Sequence, residues 1–188
     1  MNEFIIELFT KLHLKNINYA ILRNYEDLPE KDHTTKYFDL DLIVQANQYK
    51  EFFRILIKIS SKHNFNLAKK LTREYVKTTQ LYRIEKNGFI NSIQIDAHTL
   101  GQNWWGNYYL FEENILKNKF LFNNFYVVSK FHQNLFNWLD KLFWGNYVKN
   151  KYTTEILSVF NKNIISLNIF LSKIFGRKLS NQLINFIK

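Results

Sequence analysis

Cysteine is absent from this chain of 188 residues. That rules out disulfides, thiolate metal sites and cysteine nucleophiles, and it suits a reducing cytoplasm. Proline occurs once and glycine five times, too few for a flexible linker. No apolar run approaches the roughly 20 residues needed to cross a bilayer. The N-terminus, Met1-Asn2-Glu3, carries neither the basic stretch nor the cleavage site of a secretory signal. Acidic residues are outnumbered, 16 against 26 lysines and arginines, giving a net charge of +10. Such an excess favours anionic partners: nucleotides, nucleic acid or an anionic membrane surface. The bases are scattered and form no nucleic-acid-binding motif, so nucleic acid is not expected as the main partner. What the chain does have is apolar residues, 46%, with 18% aromatic. It therefore has the means to build a packed core.

Apolar spacing divides the chain into elements. Phe4, Ile5, Leu8, Phe9 and Leu12 recur at helical intervals and predict an amphipathic helix over 3–15. A short strand over 19–22 ends in Arg23-Asn24. Residues 25–36 hold Pro29 and many charges and read as a loop. A strand is predicted over 38–44, a helix over 48–62 and a strand over 73–84. Lys86-Asn87-Gly88 signals a hairpin into a partner strand over 90–98. Strands mixed with helices in this order imply an α/β layer rather than a bundle or a repeat. Beyond Thr99 the sequence turns aromatic, with Trp104 and Trp105. A short helix over 111–117 and a hairpin over 120–128 are expected. From Ser129, a plausible N-cap, helical patterns cover 129–144, 152–160, 163–175 and 178–187. The expected organisation is a core over 1–128 and a helical C-terminal region over 129–188.

Two carboxylates, Asp39 and Asp41, sit inside the apolar strand Tyr37-Phe-Asp-Leu-Asp-Leu-Ile-Val-Gln45. Side chains alternate along a strand, so the two share one face, and Leu40, Leu42 and Val44 take the other. Adjacent like charges on a half-buried strand are costly without a compensating cation. A divalent metal is one answer; an edge strand with its polar face in water is the other. A third carboxylate, Asp96, lies in Ser92-Ile-Gln-Ile-Asp-Ala-His98, sharing a face with Gln94 and His98. If that strand pairs with 38–44, three carboxylates converge, an arrangement suited to two Mg²⁺ ions and phosphoryl chemistry.

Asp39-Leu-Asp-Leu42 after a strand ending at Asn24, followed by Gln94-Ile-Asp96, resembles the nucleotidyltransferase superfamily, the DNA polymerase β-like fold. More narrowly, Tyr19-Ala-Ile-Leu-Arg-Asn-Tyr-Glu-Asp-Leu-Pro29, Ile95-Asp-Ala-His-Thr99, Trp105-Gly106, Trp138-Leu139 and Leu142-Phe-Trp-Gly145 are similar to a branch linked with surface-polysaccharide synthesis. The resemblance spans about residues 1–150. It implies a mixed sheet flanked by helices and a Mg²⁺ or Mn²⁺ site, with two ions, held by Asp39, Asp41 and Asp96 as catalytic residues. It also implies transfer of a nucleoside monophosphate from an NTP to a small-molecule or saccharide acceptor. One departure stands out. Where the superfamily has a Gly-Gly or Gly-Ser turn, this chain has Leu22-Arg23-Asn24. Either Arg23, with Asn24, supplies a phosphate clamp in place of that turn, or the triphosphate site is lost. The donor would then be something else, such as a CDP-linked phosphate, or the module would be non-catalytic.

Other candidates have structural readings beside the functional ones. His98 is a general base or acceptor contact, or a hydrogen-bonded structural histidine. Arg73, Lys77 and Arg83 alternate on one strand face, near phosphates or facing solvent. Trp104 and Trp105 stack a base or sugar, or pack in the core. The apolar 163–175 helix packs on the core or a second subunit, or lies at a membrane surface.

Overall fold

A computed structural model describes residues 2–26, 28, 37–74, 76–104, 107–145 and 150–185. The chain begins with α1 (Asn2–Leu14), whose Phe4, Ile5, Leu8, Phe9 and Leu12 are buried, as their spacing predicts. Asn16 takes a left-handed conformation just past the helix end, a common stop for a residue that tolerates positive φ. β1 (Tyr19–Ile21) follows, then β2 (Tyr37–Val44). The predicted loop over 25–36 lies mostly outside the described residues. A 3-10 turn leads into α2 (Tyr49–Lys62), which buries Phe52, Ile55, Leu56 and Ile59.

Next come β3 (Asn66–Thr72), β4 (Val76–Ile84) and β5 (Ile90–His98). β4 starts three residues later than the pattern suggests, because Arg73 belongs to the turn and its N–H bonds the Val76 carbonyl. β3 was not expected from the sequence. Between β4 and β5 the turn contains Gly88 at φ +79°, the backbone that the Asn-Gly signal calls for. A small hairpin, β6 (Gly101–Trp104) and β7 (Asn107–Phe111), also escaped the sequence reading. α3 (Glu112–Lys117), β8 (Phe120–Phe122) and β9 (Phe125–Val127) follow where a short helix and a hairpin were expected.

Seven strands form one sheet in the order β3-β4-β5-β2-β1-β9-β8. It is mixed: β2 runs parallel to β5 and β1 parallel to β9, while the remaining neighbours are antiparallel. One face, carrying Phe38, Leu40, Leu42, Val44, Leu81, Ile93, Ile95 and Ala97, builds the core with the apolar sides of α1 and α2. This is why apolar residues recur at every second position on that face.

The remaining elements are α4 (Lys130–Gly145), α5 (Asn150–Val159) and α6 (Ile164–Asn185). Helices expected over 163–175 and 178–187 appear as one element broken at Gly176, whose φ of 76° and ψ of 160° are not helical. Two compact units result: residues 1–102 with 110–129, and residues 103–109 with 130–188. Within the second, Phe170 packs on Phe131 and Phe160, and Phe175 packs edge-on against Phe143. Among the described residues no helix is long and apolar enough to cross a membrane.

Candidate metal centre

The two carboxylate strands lie side by side. In the parallel register of β2 and β5, Asp41 stands level with Asp96 and Asp39 with Gln94. All three carboxylates therefore project from the face opposite the core. One oxygen from each of Asp39, Asp41 and Asp96 lies within 4.8 Å of the others. Glu112 of α3 helps to fix this alignment: its Oε2 accepts N–H bonds at 3.0 Å from Ala46, just beyond β2, and from Leu100, just beyond β5. Nothing in the local sequence around Glu112 signals this role.

The three carboxylates have different surroundings. Asp41 is buried, with 3% of its surface exposed. Arg23 donates from Nε to its Oδ2 at 2.5 Å, and His98 Nε2 lies 3.8 Å from its Oδ1. Burial opposes ionisation of Asp41, but His98 and Arg23 together outweigh it and hold the carboxyl below its usual range. Asp39 has the reverse balance. Burial first, then the charges of Asp41 and Asp96, push it up to about 6. Asp96 accepts from Gln94 Nε2 at 2.9 Å on Oδ2, and Gln94 in turn accepts from Gln80 Nε2 at 2.9 Å. Asp39 Oδ1 and Asp96 Oδ1 are buried with no hydrogen-bond partner.

These orphaned oxygens fit a divalent cation. A buried acceptor without a donor costs about 1–3 kcal/mol, and a carboxylate that resists ionising when metal-free gains most from a bound cation. The donor set is all oxygen, which suits Mg²⁺ or Mn²⁺.

The expected substrate-binding residues divide. Arg23 and His98 both stand at Asp41. Asn24, the next residue, takes a left-handed conformation at φ 57°. The turn after β1 thus has a shape that glycine favours, and asparagine is among the few side chains that accept it. Lys77 lies apart from these. Thr78, not Lys77, pairs with Asp96, so Lys77 points to the opposite, core-side face. There its Nζ bonds Thr99 Oγ1 at 2.6 Å and lies over the Tyr49 ring. Arg83 shares that face and lies over Phe65. The side chains of Trp104 and Trp105 lie outside the described residues.

A mixed sheet with helices on it, and paired carboxylate strands near its centre, is the architecture expected from the sequence. The chain matches no family model and no curated protein. Among solved structures it is similar to an antigenic nucleotidyltransferase-like protein from Paracoccidioides brasiliensis. The identity is 14%, 84% of this chain and 74% of that one are covered, and the TM-score is 0.47. It is also similar to JHP933 from Helicobacter pylori, at 7% identity over 98% of this chain and 87% of that one, again with a TM-score of 0.47.

Proposed function

We propose that the chain carries out divalent-metal-dependent transfer of a phosphorus-containing group, moving a nucleoside monophosphate from an NTP to a small-molecule or saccharide acceptor. The observation behind this reading is the pair of orphaned buried oxygens on Asp39 and Asp96 within a cluster of three carboxylates. Asp39, Asp41 and Asp96 would hold Mg²⁺ or Mn²⁺. When bound, such ions act as Lewis acids on phosphoryl oxygens and lower the pKa of an acceptor hydroxyl. The chain's own residues do the rest. Asp39 and Asp96 offer the unpartnered oxygens. Gln94 turns Asp96 so that Oδ1 stays open. Arg23 and His98 keep Asp41 ionised in a buried setting. Asn24, at the left-handed turn beside Arg23, offers its amide to the donor.

The Arg23–Asp41 ion pair supports two further readings. A guanidinium at this position suits a diphosphate as well as a triphosphate, so a CDP-linked donor giving up a substituted phosphate is the alternative chemistry. The same guanidinium already supplies a positive charge to the cluster, as a binding module without turnover would need.

Thermal unfolding with Mg²⁺ or Mn²⁺ and each NTP or CDP-alcohol separates these readings. A ligand at about 100 times its dissociation constant adds roughly 2.7 kcal/mol. Metal-dependent stabilisation by an NTP, lost in Asp39→Asn, supports nucleotidyl transfer. Stabilisation by CDP-alcohols alone supports the alternative donor. Stabilisation by no pair favours the binding module. Asp96→Asn then tests the chemistry: donor binding should survive while turnover is lost.

A further inference from the structure

The last acidic residue of the chain is Glu155; from Ile156 to Lys188 the only charges are Lys162, Lys173, Arg177, Lys178 and Lys188. α6 lies in this stretch. Its Leu167, Leu171, Leu183 and Ile184 are buried. Its other side is open: Ile165 is 72% and Ile169 55% exposed. Lys173, also exposed, continues the stripe four residues on, and the exposed Arg177 lies just past the break at Gly176. At the Gly176 break a cavity of about 410 Å³ is lined by Asn168, Ile169, Ser172, Lys173, Arg177 and Asn181. Asn168 and Asn181 bond to each other at 3.0 Å, and the buried Ser180 donates to the Asn168 carbonyl at 2.9 Å. The wall of the cavity is thus held in place from within. Two cations, a hydroxyl and two amides surround a hollow whose rim carries an exposed isoleucine.

We propose that this face of α6 docks on a membrane surface rich in anionic phospholipid. Lys173 and Arg177 take a headgroup phosphate in the cavity at Gly176, while Ile165 and Ile169 enter the acyl boundary. The chemistry selects this occupant over others. A purely polar polyanion has no use for two exposed isoleucines on the same stripe. A second copy would bring the same acid-free, cationic stretch against itself. An anionic bilayer offers both phosphate and apolar depth, and stable attachment to it takes two such signals together. The inference is independent of the carboxylate cluster.

The test is flotation of the full chain with vesicles of phosphatidylcholine alone and with 30% phosphatidylglycerol. Binding to the anionic vesicles only is expected, weakening as salt rises. Lys173→Glu with Arg177→Glu should reduce the partition at least about tenfold. Ile165→Ser with Ile169→Ser should reduce it separately, and circular dichroism should show both variants folded. Lys11→Glu with Lys15→Glu, at the C-terminal end of α1 and just past it, is the control for net charge and should leave most binding intact. Four results would overturn the proposal: no flotation of the parent chain, equal binding to neutral vesicles, equal loss in the α1 control, or no effect of the isoleucine pair. A dimer in solution that the isoleucine changes disperse, without vesicle binding, would assign the face to self-association instead.

Discussion

Replacing Arg23 by methionine removes the positive charge from Asp41 while keeping much of the side-chain volume. The side chain of Asp41 is 4% exposed and that of Arg23 19%. This is not a surface ion pair, for which about 0–1 kcal/mol would be expected. Removing one partner of a buried pair costs about 3–5 kcal/mol, because the remaining charge is stranded. His98 remains within 3.8 Å of Asp41, so the low end applies, about 3 kcal/mol. For a chain of this size each kcal/mol moves Tm by roughly 2–4 °C, so a fall of about 6–12 °C is expected. Calorimetry at pH 7.5 in EDTA reads it. Adding Asp41→Asn to Arg23→Met should restore most of the loss, since no buried charge is then left unpaired. Saturating Mg²⁺ should raise the Tm of Arg23→Met by more than that of the parent, because the ion takes over the role of the guanidinium. A loss below about 1 kcal/mol, unchanged by Asp41→Asn, would refute the reasoning and show that Asp41 is compensated by other groups.

The raised pKa of Asp39 gives a pH signature in metal-free protein. Its carboxyl titrates near 3.8 when unfolded and near 6 when folded, so the folded state holds the extra proton between these values. Stability should fall as pH rises from about 4 to about 6 and then level off; in Asp39→Asn that part of the slope should vanish, as urea midpoints will tell. Gln94→Leu releases Asp96 from its amide partner and should weaken Mg²⁺ binding about 10-fold or more by calorimetric titration. Lys77→Met, on the other face, should leave Mg²⁺ binding unchanged. Gly101→Ala should be severe: a Cβ there would lie 1.9 Å from the Leu110 carbonyl oxygen, and φ is +113°. A loss of at least about 3 kcal/mol is expected by urea unfolding, against about 1–2 for Gly88→Ala, where φ is +79° but the space is open.

Where one face of a strand lines the apolar core, the pattern carried the information. Leu40, Leu42 and Val44 against Asp39 and Asp41 defined both the strand and its two faces. Ile93, Ile95 and Ala97 did the same for β5. β3 gave no such signal because all seven of its residues, Asn66 to Thr72, are exposed on an edge. Without a buried face there is no period to read. Lys77 shows another limit. Alternation groups Lys77 with Arg83, but only the pairing of Thr78 with Asp96 decides which side of the sheet they occupy. Contacts between distant elements were also invisible: Arg23 on Asp41, Glu112 across the ends of β2 and β5, and the Gln80–Gln94–Asp96 chain. Gln80 could have been found by extending the β4–β5 hairpin register back from Asn87-Gly88 as far as Gln94.

The parallel pairing of β2 with β5 has a kinetic meaning. β4 and β5 are joined by a tight turn and can meet early, as can β3 and β4. β2 is joined to its sheet neighbour β1 only through the long segment 22–36, and it reaches β5 only across α2, β3 and β4. Closing that loop is slow compared with forming a hairpin. The carboxylate cluster is therefore expected to come together late in folding, and it brings like charges towards each other as it does so. A cation that binds three aspartates from two such distant strands has almost nothing to hold in the unfolded chain. Its effect should fall mainly on the rate at which the finished structure comes apart.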